Sequence, residues 1–405
     1  MPGGRAHHRQ VSSSHRSRAL RLASVPLGLA AAALLFVSSW IVLPAPQLLL
    51  LPLAVGAPEL SPVLLALSLL VLALAVATRA TVGGKFACAC SLLAAVGCTW
   101  PLLQWPAAVQ RFDQALRPYD SAASGGWQLS VSTLLFGIDA GQTRVTRGIA
   151  VAAADGSALT LDVYRPPAPG RFPIIVQIYG GAWQRGMPGD NAAFARHFAA
   201  RGHVVFAIDY RHAPLWQWPA QIDDVRAALA WIGLHAPEYD GDPRRIVLIG
   251  RSSGAQLALL AAYQNAENAE NAGPAVAAVV GLYGPTDLAR GWREPPHPDP
   301  LNVRSVLEAY LGGTPQQVPQ RYREASPITH VTANSPPTLL MYGQRDHIVE
   351  ARFGRELHQR LQAAGATSVL LELPWSEHAF DAVPGGLAGQ LSLASIERFL
   401  AQAAR

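Results

Sequence analysis

"RRIVLIGRSSGAQLALLAA", residues 244–262, is the stretch that decides the fold. An apolar run, Ile246 to Ile249, ends at Gly250-Arg251-Ser252-Ser253-Gly254, and a helix-forming segment follows without a gap. A serine at the tip of so tight a strand-to-helix turn is forced into a strained backbone, with its hydroxyl exposed above the sheet. The residues two before and two after it crowd the turn, so both must lack a bulky side chain. Only Ser252 has glycine at both of those positions. The spacing therefore makes Ser252 the nucleophile. Ser253 becomes the residue whose backbone N–H points toward a developing oxyanion, at the positive end of the next helix.

A nucleophilic serine needs a base, and the base needs an acid to orient it. With this kind of turn the chain order is serine, acid, histidine, the last two on loops after strand ends. "PTLLMYGQRDHIV" supplies Asp346 just after an apolar run, and "VLLELPWSEHAF" supplies His378 just after the next. Asp287, after the run ending near Tyr283, is the rival acid. His347 adjoins Asp346 and should point elsewhere. His358 sits in a helical stretch, and His297 and His330 lie in a Pro-rich insertion. "IYGGAWQRG" (178–186) offers the other half of an oxyanion hole, because consecutive glycines let backbone N–H groups approach a substrate.

Around this centre the chain alternates strand and helix from Arg144 onward. "RVTRGIAVAA" and "ALTLDVYRP" read as paired strands turning at Asp155-Gly156. "FPIIVQIY" and "HVVFAIDY" read as strands buried on both faces. Further strands are expected at 245–250, 276–282, 337–343 and 368–373. Helices are expected at 192–201, 221–234, from the 250s to about Tyr263, at 351–364 and near 389–402. Such alternation implies a mainly parallel sheet covered by helices, with the first two strands antiparallel at one edge. "QNAENAENAG" (264–273) has no apolar face and reads as a solvated loop. Residues 293–300 read either as part of a cap or as a surface loop. Trp216, Trp218 and Trp292 read either as pocket lining or as packing beneath it.

The first quarter of the 405-residue chain is different. Leu22 to Leu43, Ser61 to Thr78 and Phe86 to Trp105 are apolar runs without a charge. A helix of about 20 such residues spans the ~30 Å hydrocarbon core of a bilayer. Three transmembrane helices are therefore expected, at 22–43, 61–78 and 86–105, with Gln47 to Val55 as an interfacial loop. The first run is longer than the core of a signal peptide, and a second follows at once. Five arginines in residues 1–21 place that tail in the cytoplasm. The 44–60 loop has no Lys or Arg, and Arg79 and Lys85 lie between the second and third runs. Three crossings would leave residues 106–143 as a linker, and 144–405 as a catalytic domain outside the cytoplasm.

Charge follows the same division. Residues 1–109 hold seven basic side chains and one acid, Glu59, which leaves 25 basic and 26 acidic residues in the rest of the chain. The basic balance belongs to the N-terminal arm, and no basic face for nucleic acid is implied. Cys88, Cys90 and Cys98 all lie in one apolar run, and their spacing is not that of a zinc site.

Taken together, residues 144–405 resemble the α/β-hydrolase superfamily, in the esterase and lipase branch related to hormone-sensitive lipase, feruloyl-esterase-like proteins and kynurenine formamidases. The matching pieces, in order, are "LDVYRP" (161–166), "YGGAW" (179–183), "DYRHAP" (209–214), "GRSSGAQLA" (250–258), "YGPTDL" (283–288), "ASPITHV" (325–331), "GQRDHIV" (343–349) and "SEHAF" (376–380). The resemblance implies nucleophile Ser252, acid Asp346 and base His378, with oxyanion N–H groups at Gly181, Ala182 and Ser253. The chain departs from the family in two places. Tyr179 stands where the family usually has histidine before the glycines, and Ser253 and Ala255 stand where it usually has Ala and Gly. The apolar N-terminal runs lie outside the resemblance.

The expected protein is thus a membrane-anchored serine hydrolase that cleaves small-molecule carboxylic esters through an acyl-enzyme. It is expected to use no metal or organic cofactor, and its expected partners are the ester and the lipid bilayer. Two alternatives stay open: an arylformamidase-type amidase, suggested by Trp183 and Gly254-Ala255, and a catalytically silent membrane-bound binding protein.

Overall fold

In a computed structural model, residues 4–119, 129–153, 155–267 and 274–403 are described, with the backbone alone for 4–17, 19 and 267. The chain divides into two units. One runs to Pro106 apart from Pro46–Leu48, and the other holds those three residues and the chain from Ala107.

The N-terminal unit is helical: α1 (Gly4–Ser39), α2 (Leu51–Glu59), α3 (Ser61–Val76) and most of α4 (Val82–Leu116). Leu20–Ser39 and Val82–Tyr119 are each long and apolar enough to cross a membrane. The segments Leu48–Glu59 and Ser61–Val76 meet at 81° and pass the same test only as a bent pair. Two expectations are corrected here. Gln47 to Val55 is not a loop, because a 3₁₀ turn at Leu48–Leu50 leads straight into α2. Pro52 lies in the first turn of α2, where a missing N–H breaks no helical bond. The run 61–78 gives only the 16 residues of α3, about 24 Å of helix, whereas the run 86–105 lies inside the 35 residues of α4 despite Pro101 and Pro106.

The C-terminal unit is built on an eight-stranded sheet. Its strands are β1 (Arg144–Ala152), β2 (Ala158–Arg165), β3 (Phe172–Ile178), β4 (Val204–Ile208), β5 (Gly241–Arg251), β6 (Val276–Leu282), β7 (Thr338–Gly343) and β8 (Ser368–Leu373). The spatial order is β1-β2-β4-β3-β5-β6-β7-β8. β1–β2 and β2–β4 are antiparallel, and every other pair is parallel. All of β4 and β7 is buried, as is the C-terminal half of β5, while edge strand β8 alternates between buried and half-buried residues. That contrast follows from helices covering both faces of the sheet centre. The covering helices are α6 (Ala192–Ala200), α7 (Ala220–His235), α8 (Ser253–Glu267), α12 (Arg352–Ala363) and α13 (Leu387–Ala403).

Three segments differ from the sequence reading. The described residues of 107–143 lie within the C-terminal unit instead of linking two units. The Tyr119 ring packs 4.9 Å from that of Phe399, Arg398 Nη1 bonds Asp113 Oδ1 at 2.8 Å, and the Ser130 N–H, just before α5 (Val131–Phe136), donates to Gln390 Oε1 at 2.8 Å. Between β6 and β7, where no helix is expected, stand three short ones: α9 (Leu288–Arg293), α10 (Val303–Leu311) and α11 (Pro319–Glu324). The helix expected to end near Tyr263 continues to Glu267, and the remainder of the Asn-Ala-Glu repeat lies outside the described residues.

Candidate active site

β5 ends at Arg251 and α8 begins at Ser253, which leaves Ser252 alone at the turn with φ +51°. Its N–H donates to Leu282 O at 2.9 Å, and its C=O accepts from Ala255 N–H at 2.9 Å. The flanking glycines are obligatory. A Cβ on Gly250 would lie 2.1 Å from Gly254 O, and one on Gly254 would lie 2.2 Å from Tyr179 O. The crowding inferred from the sequence is thus a matter of backbone touching backbone, with no side chain free to give way.

Ser252, Asp346 and His378 come together from three strand ends. His378 Nε2 lies 2.9 Å from Ser252 Oγ, and its Nδ1 lies 2.8 Å from Asp346 Oδ2. The other carboxylate oxygen, Oδ1, accepts from the N–H groups of Ile348 (2.8 Å) and Val349 (2.7 Å). Burial pushes the Asp346 carboxyl up from its ordinary value, while the imidazole and the backbone N–H groups pull it down. The rival acid is engaged elsewhere: Asp287 caps α9, its Oδ1 accepting from Arg290 N–H at 2.9 Å. His358 Nδ1 meets Ser368 Oγ at 2.7 Å, and His330 Nε2 meets Glu324 O at 2.9 Å.

Four supporting residues escaped the sequence reading. Buried Glu377 fastens the acid loop to the base loop. Its carboxylate accepts from His347 N–H (2.7 Å) and His378 N–H (2.9 Å), and its Oε2 lies 2.5 Å from His347 Nδ1. That carboxylate raises the His347 value above the ordinary imidazole range. The Tyr283 ring stands edge-on to the His378 ring at 4.7 Å, and its O–H donates to Asp381 Oδ1. Asp381 Oδ2 accepts in turn from Arg251 Nε at 2.6 Å, and the Arg251 guanidinium lies 4.2 Å over the Phe194 ring. Arg251 is separated from Asp381 by 130 residues, so no local pattern marks the pair.

The loop after β3 brings Ala182 beside Ser252 and Ser253 in the lining of one cleft, and Gly181 is not part of that lining. Gly181 (φ +146°) forms the bend, since a Cβ there would strike Arg185 O at 2.0 Å. Ser253 opens α8, so its N–H belongs to the first-turn donors that no carbonyl of the helix reaches. Tyr179 does not face the cleft as a donor. Its ring stacks on Tyr210 at 4.5 Å, and its O–H bonds Asp209 and lies 2.9 Å from His212 Nε2. Trp183 stacks flat on Tyr310 at 4.2 Å, and its Nε1–H donates to Gln256 Oε1 at 2.9 Å.

The cleft is lined mainly by apolar residues, among them Leu288 of α9, Val306 and Leu307 of α10 and Phe353 of α12. Residues 293–300 contribute Glu294 and Pro296 to its lining. Trp216, Trp218 and Trp292 do not line it. Trp218 packs edge-on against Tyr310, and Trp292 donates to Glu308 Oε1 at 2.7 Å. Among the described residues no three His, Cys, Asp or Glu side chains are grouped to hold a metal ion.

Many known proteins are similar to this chain. The family model BD-FAE matches residues 161–361. The probable carboxylic ester hydrolase LipM of Mycobacterium tuberculosis is 36% identical over 258 residues, which cover 61% of this chain and 59% of LipM. Esterase LipC of the same organism is 36% identical over 265 residues, covering 62% of this chain and 64% of LipC. The chain thus spans about three-fifths of the length of these relatives. Among solved structures, a bacterial heroin esterase superposes with TM-score 0.58 at 22% identity, over 75% of this chain and 93% of that one. Esterase LipW from Mycobacterium marinum superposes with TM-score 0.53 at 24% identity, over 74% and 90%.

Proposed function

The C-terminal unit belongs to the α/β-hydrolase superfamily, in its esterase and lipase branch, and from that premise we propose that the protein is a membrane-anchored serine hydrolase of carboxylic esters. The observation that carries the reading is the pair of short contacts at His378, 2.9 Å to Ser252 Oγ and 2.8 Å to Asp346 Oδ2. With the Nδ1 proton held by Asp346, Nε2 is left as the acceptor of the serine proton. Ser252 Oγ attacks the ester carbonyl as that proton moves to Nε2. The backbone N–H groups of Gly181, Ala182 and Ser253 stabilise the tetrahedral oxyanion. His378 then passes the proton to the leaving alcohol, and the acyl-enzyme forms. Water, activated by the same imidazole, releases the acid and restores the serine. The scheme draws on no cofactor.

The membrane part of the proposal rests on α1 and α4, each long and apolar enough to cross, with α2 and α3 as a bent third crossing. The arginines of residues 1–21 then hold the N-terminus in the cytoplasm and the hydrolase unit lies on the other side. The test of the chemistry is labelling of full-length protein by a fluorophosphonate probe, alongside turnover of short-chain esters. Both should vanish in Ser252→Ala and persist in Ser253→Ala. Equal labelling of the two variants overturns the assignment.

A further inference from the structure

The loop that carries the base is gathered around one side chain. Of residues 378–381, three meet Tyr283: the His378 ring at 4.7 Å, the Phe380 ring at 5.1 Å, and the Asp381 carboxylate, whose Oδ1 accepts from the Tyr283 O–H. Tyr283 and Ala379 both take left-handed backbone conformations, at φ +42° and +56°. Strain of that kind in a non-glycine residue persists only where its surroundings impose it. Around Tyr283 they do. Its N–H donates to Met341 O at 2.8 Å, and the carbonyl before it, Leu282 O, accepts from Ser252 N–H at 2.9 Å. Its side chain is buried, and Arg251 Nε holds the far oxygen of Asp381 at 2.6 Å. The ring is therefore fixed from the backbone at one end and from the hydroxyl at the other.

We propose that Tyr283 is a positioning residue for the second half of the reaction: its ring keeps His378 in place in the acyl-enzyme, when Ser252 has no proton to share with Nε2. The inference rests on the serine-hydrolase reading and adds a residue and a step to it. In the free enzyme the imidazole is fixed at both nitrogens, Nδ1 by Asp346 and Nε2 by Ser252 Oγ. Acylation puts the acyl carbon where the serine proton was, so Oγ has nothing left to donate. His378 is neutral again once the alcohol has taken the proton. Its ring then keeps one hydrogen bond, and a ring held at one nitrogen tilts about it. Deacylation needs the ring aimed at that moment. Water passes a proton to Nε2 as its oxygen bonds the acyl carbon. The bond from that carbon to Oγ then breaks, the proton moves from Nε2 to Oγ, and the acid leaves. Misplacing a reacting group by about 1 Å costs roughly 100-fold in rate. Acylation starts with both hydrogen bonds present and is less sensitive.

The experiment uses full-length protein in detergent and 4-nitrophenyl butyrate. The ratio kcat/KM reads the steps up to the acyl-enzyme, and decay of the acylated protein's mass after a single turnover reads deacylation. Tyr283→Leu should lower the deacylation constant by about tenfold to 100-fold while kcat/KM changes by less than about threefold. In steady state kcat and KM then fall together. Tyr283→Phe keeps the ring on His378 and should restore most of the loss. Phe380→Leu takes the second ring from the loop and should give the same split, smaller in size, which keeps the test open if Tyr283→Leu does not fold. Folding of each variant is checked by its cooperative melt. Equal losses in kcat/KM and in deacylation, as a generally loosened site gives, overturn this inference alone, and so does an unchanged deacylation constant in the folded variants. Wild type that neither hydrolyses the ester nor gains the acyl mass overturns the parent reading as well.

Discussion

In residues 20–106 most buried positions are small, Trp40 and Ile41 being the large exceptions, and many large apolar side chains face outward; in the described part of 144–403 the large apolar side chains are mostly buried. Ala31, Ala75, Ala87, Ala94 and Cys98 are fully buried in the first region, while Leu29 is 69% and Leu103 73% exposed. In the second, the fully buried side chains include Trp375, Tyr310, Phe206 and Phe380. Water rewards a core of large apolar groups. Lipid does not distinguish leucine inside from leucine outside, so its helices meet through small residues and turn the large ones to the acyl chains. The two regions are therefore suited to two different solvents, which supports the proposed anchoring. Polar groups follow the same logic. Ser24, Ser38 and Thr78 turn their hydroxyls back to carbonyls three residues earlier in the chain, whereas Asp346, Glu377 and Asp381 bind partners far away in sequence.

The strongest way to test this contrast is to separate chemistry from architecture. Ser252→Ala should cut kcat for a short ester by at least about 10⁴-fold while the melt stays cooperative. Asp346→Asn should come next, with a loss of about 10³–10⁴-fold in kcat, because the imidazole loses the partner that fixes its tautomer. Asp287→Ala should instead cost about 1 kcal/mol of stability through the lost helix cap, with kcat kept. A larger kcat loss at Asp287 than at Asp346 in folded protein would identify the wrong carboxylate.

The N-terminal region gives the next test. Leu29→Arg should cost about 2.5–3.5 kcal/mol of insertion free energy and reduce the carbonate-resistant membrane fraction. If the helices pack in water instead, the same change should leave that fraction alone and improve solubility. Protease added to intact, wall-stripped cells should digest the hydrolase unit. Protection until lysis would mean that the bent α2–α3 pair does not cross and that the unit is cytoplasmic.

The smallest expected effect concerns His347. Its value is raised by Glu377, so the pair adds stability that is fully present below the ordinary imidazole value of 6.5 and is lost as pH rises through the folded value. The difference in melting free energy between wild type and His347→Gln should be at most about 1 kcal/mol near pH ~6 and should shrink toward pH ~9. A difference that grows with pH would contradict the pairing.

How much was legible beforehand depended on the range of the interaction. The turn at Ser252 could be read because Gly250 and Gly254 answer to backbone within a few residues and to the strand next to it. Asp346 and His378 could be read because each immediately follows a β-rich apolar run. α10 was legible but missed: Val303, Val306, Leu307, Tyr310 and Leu311 keep the spacing of one helical face. The short helices α9 and α11 could not be read. They hold together through contacts such as Tyr322 O–H to Gly313 O and Arg321 Nη1 to Leu311 O, which carry no helical period. Tyr283, Asp381 and Arg251 were hidden for the same reason, since their bonds join residues about 100 or more positions apart. Pro52 misled in the other direction, because a proline that breaks a helix interior is harmless in its first turn.

Ser252 sits at φ +51°, where only glycine rests without strain. Of the residues on this turn it is the one whose backbone argues against its own side chain. A Ser252→Gly variant should be more stable than the natural chain by about 1 kcal/mol, and it should be inert. Selection for durability alone would therefore move this position to glycine. In a lineage where position 252 has drifted to glycine while Gly250 and Gly254 persist, the scaffold has been kept and the reaction abandoned, so that one codon distinguishes a working hydrolase from a retired one.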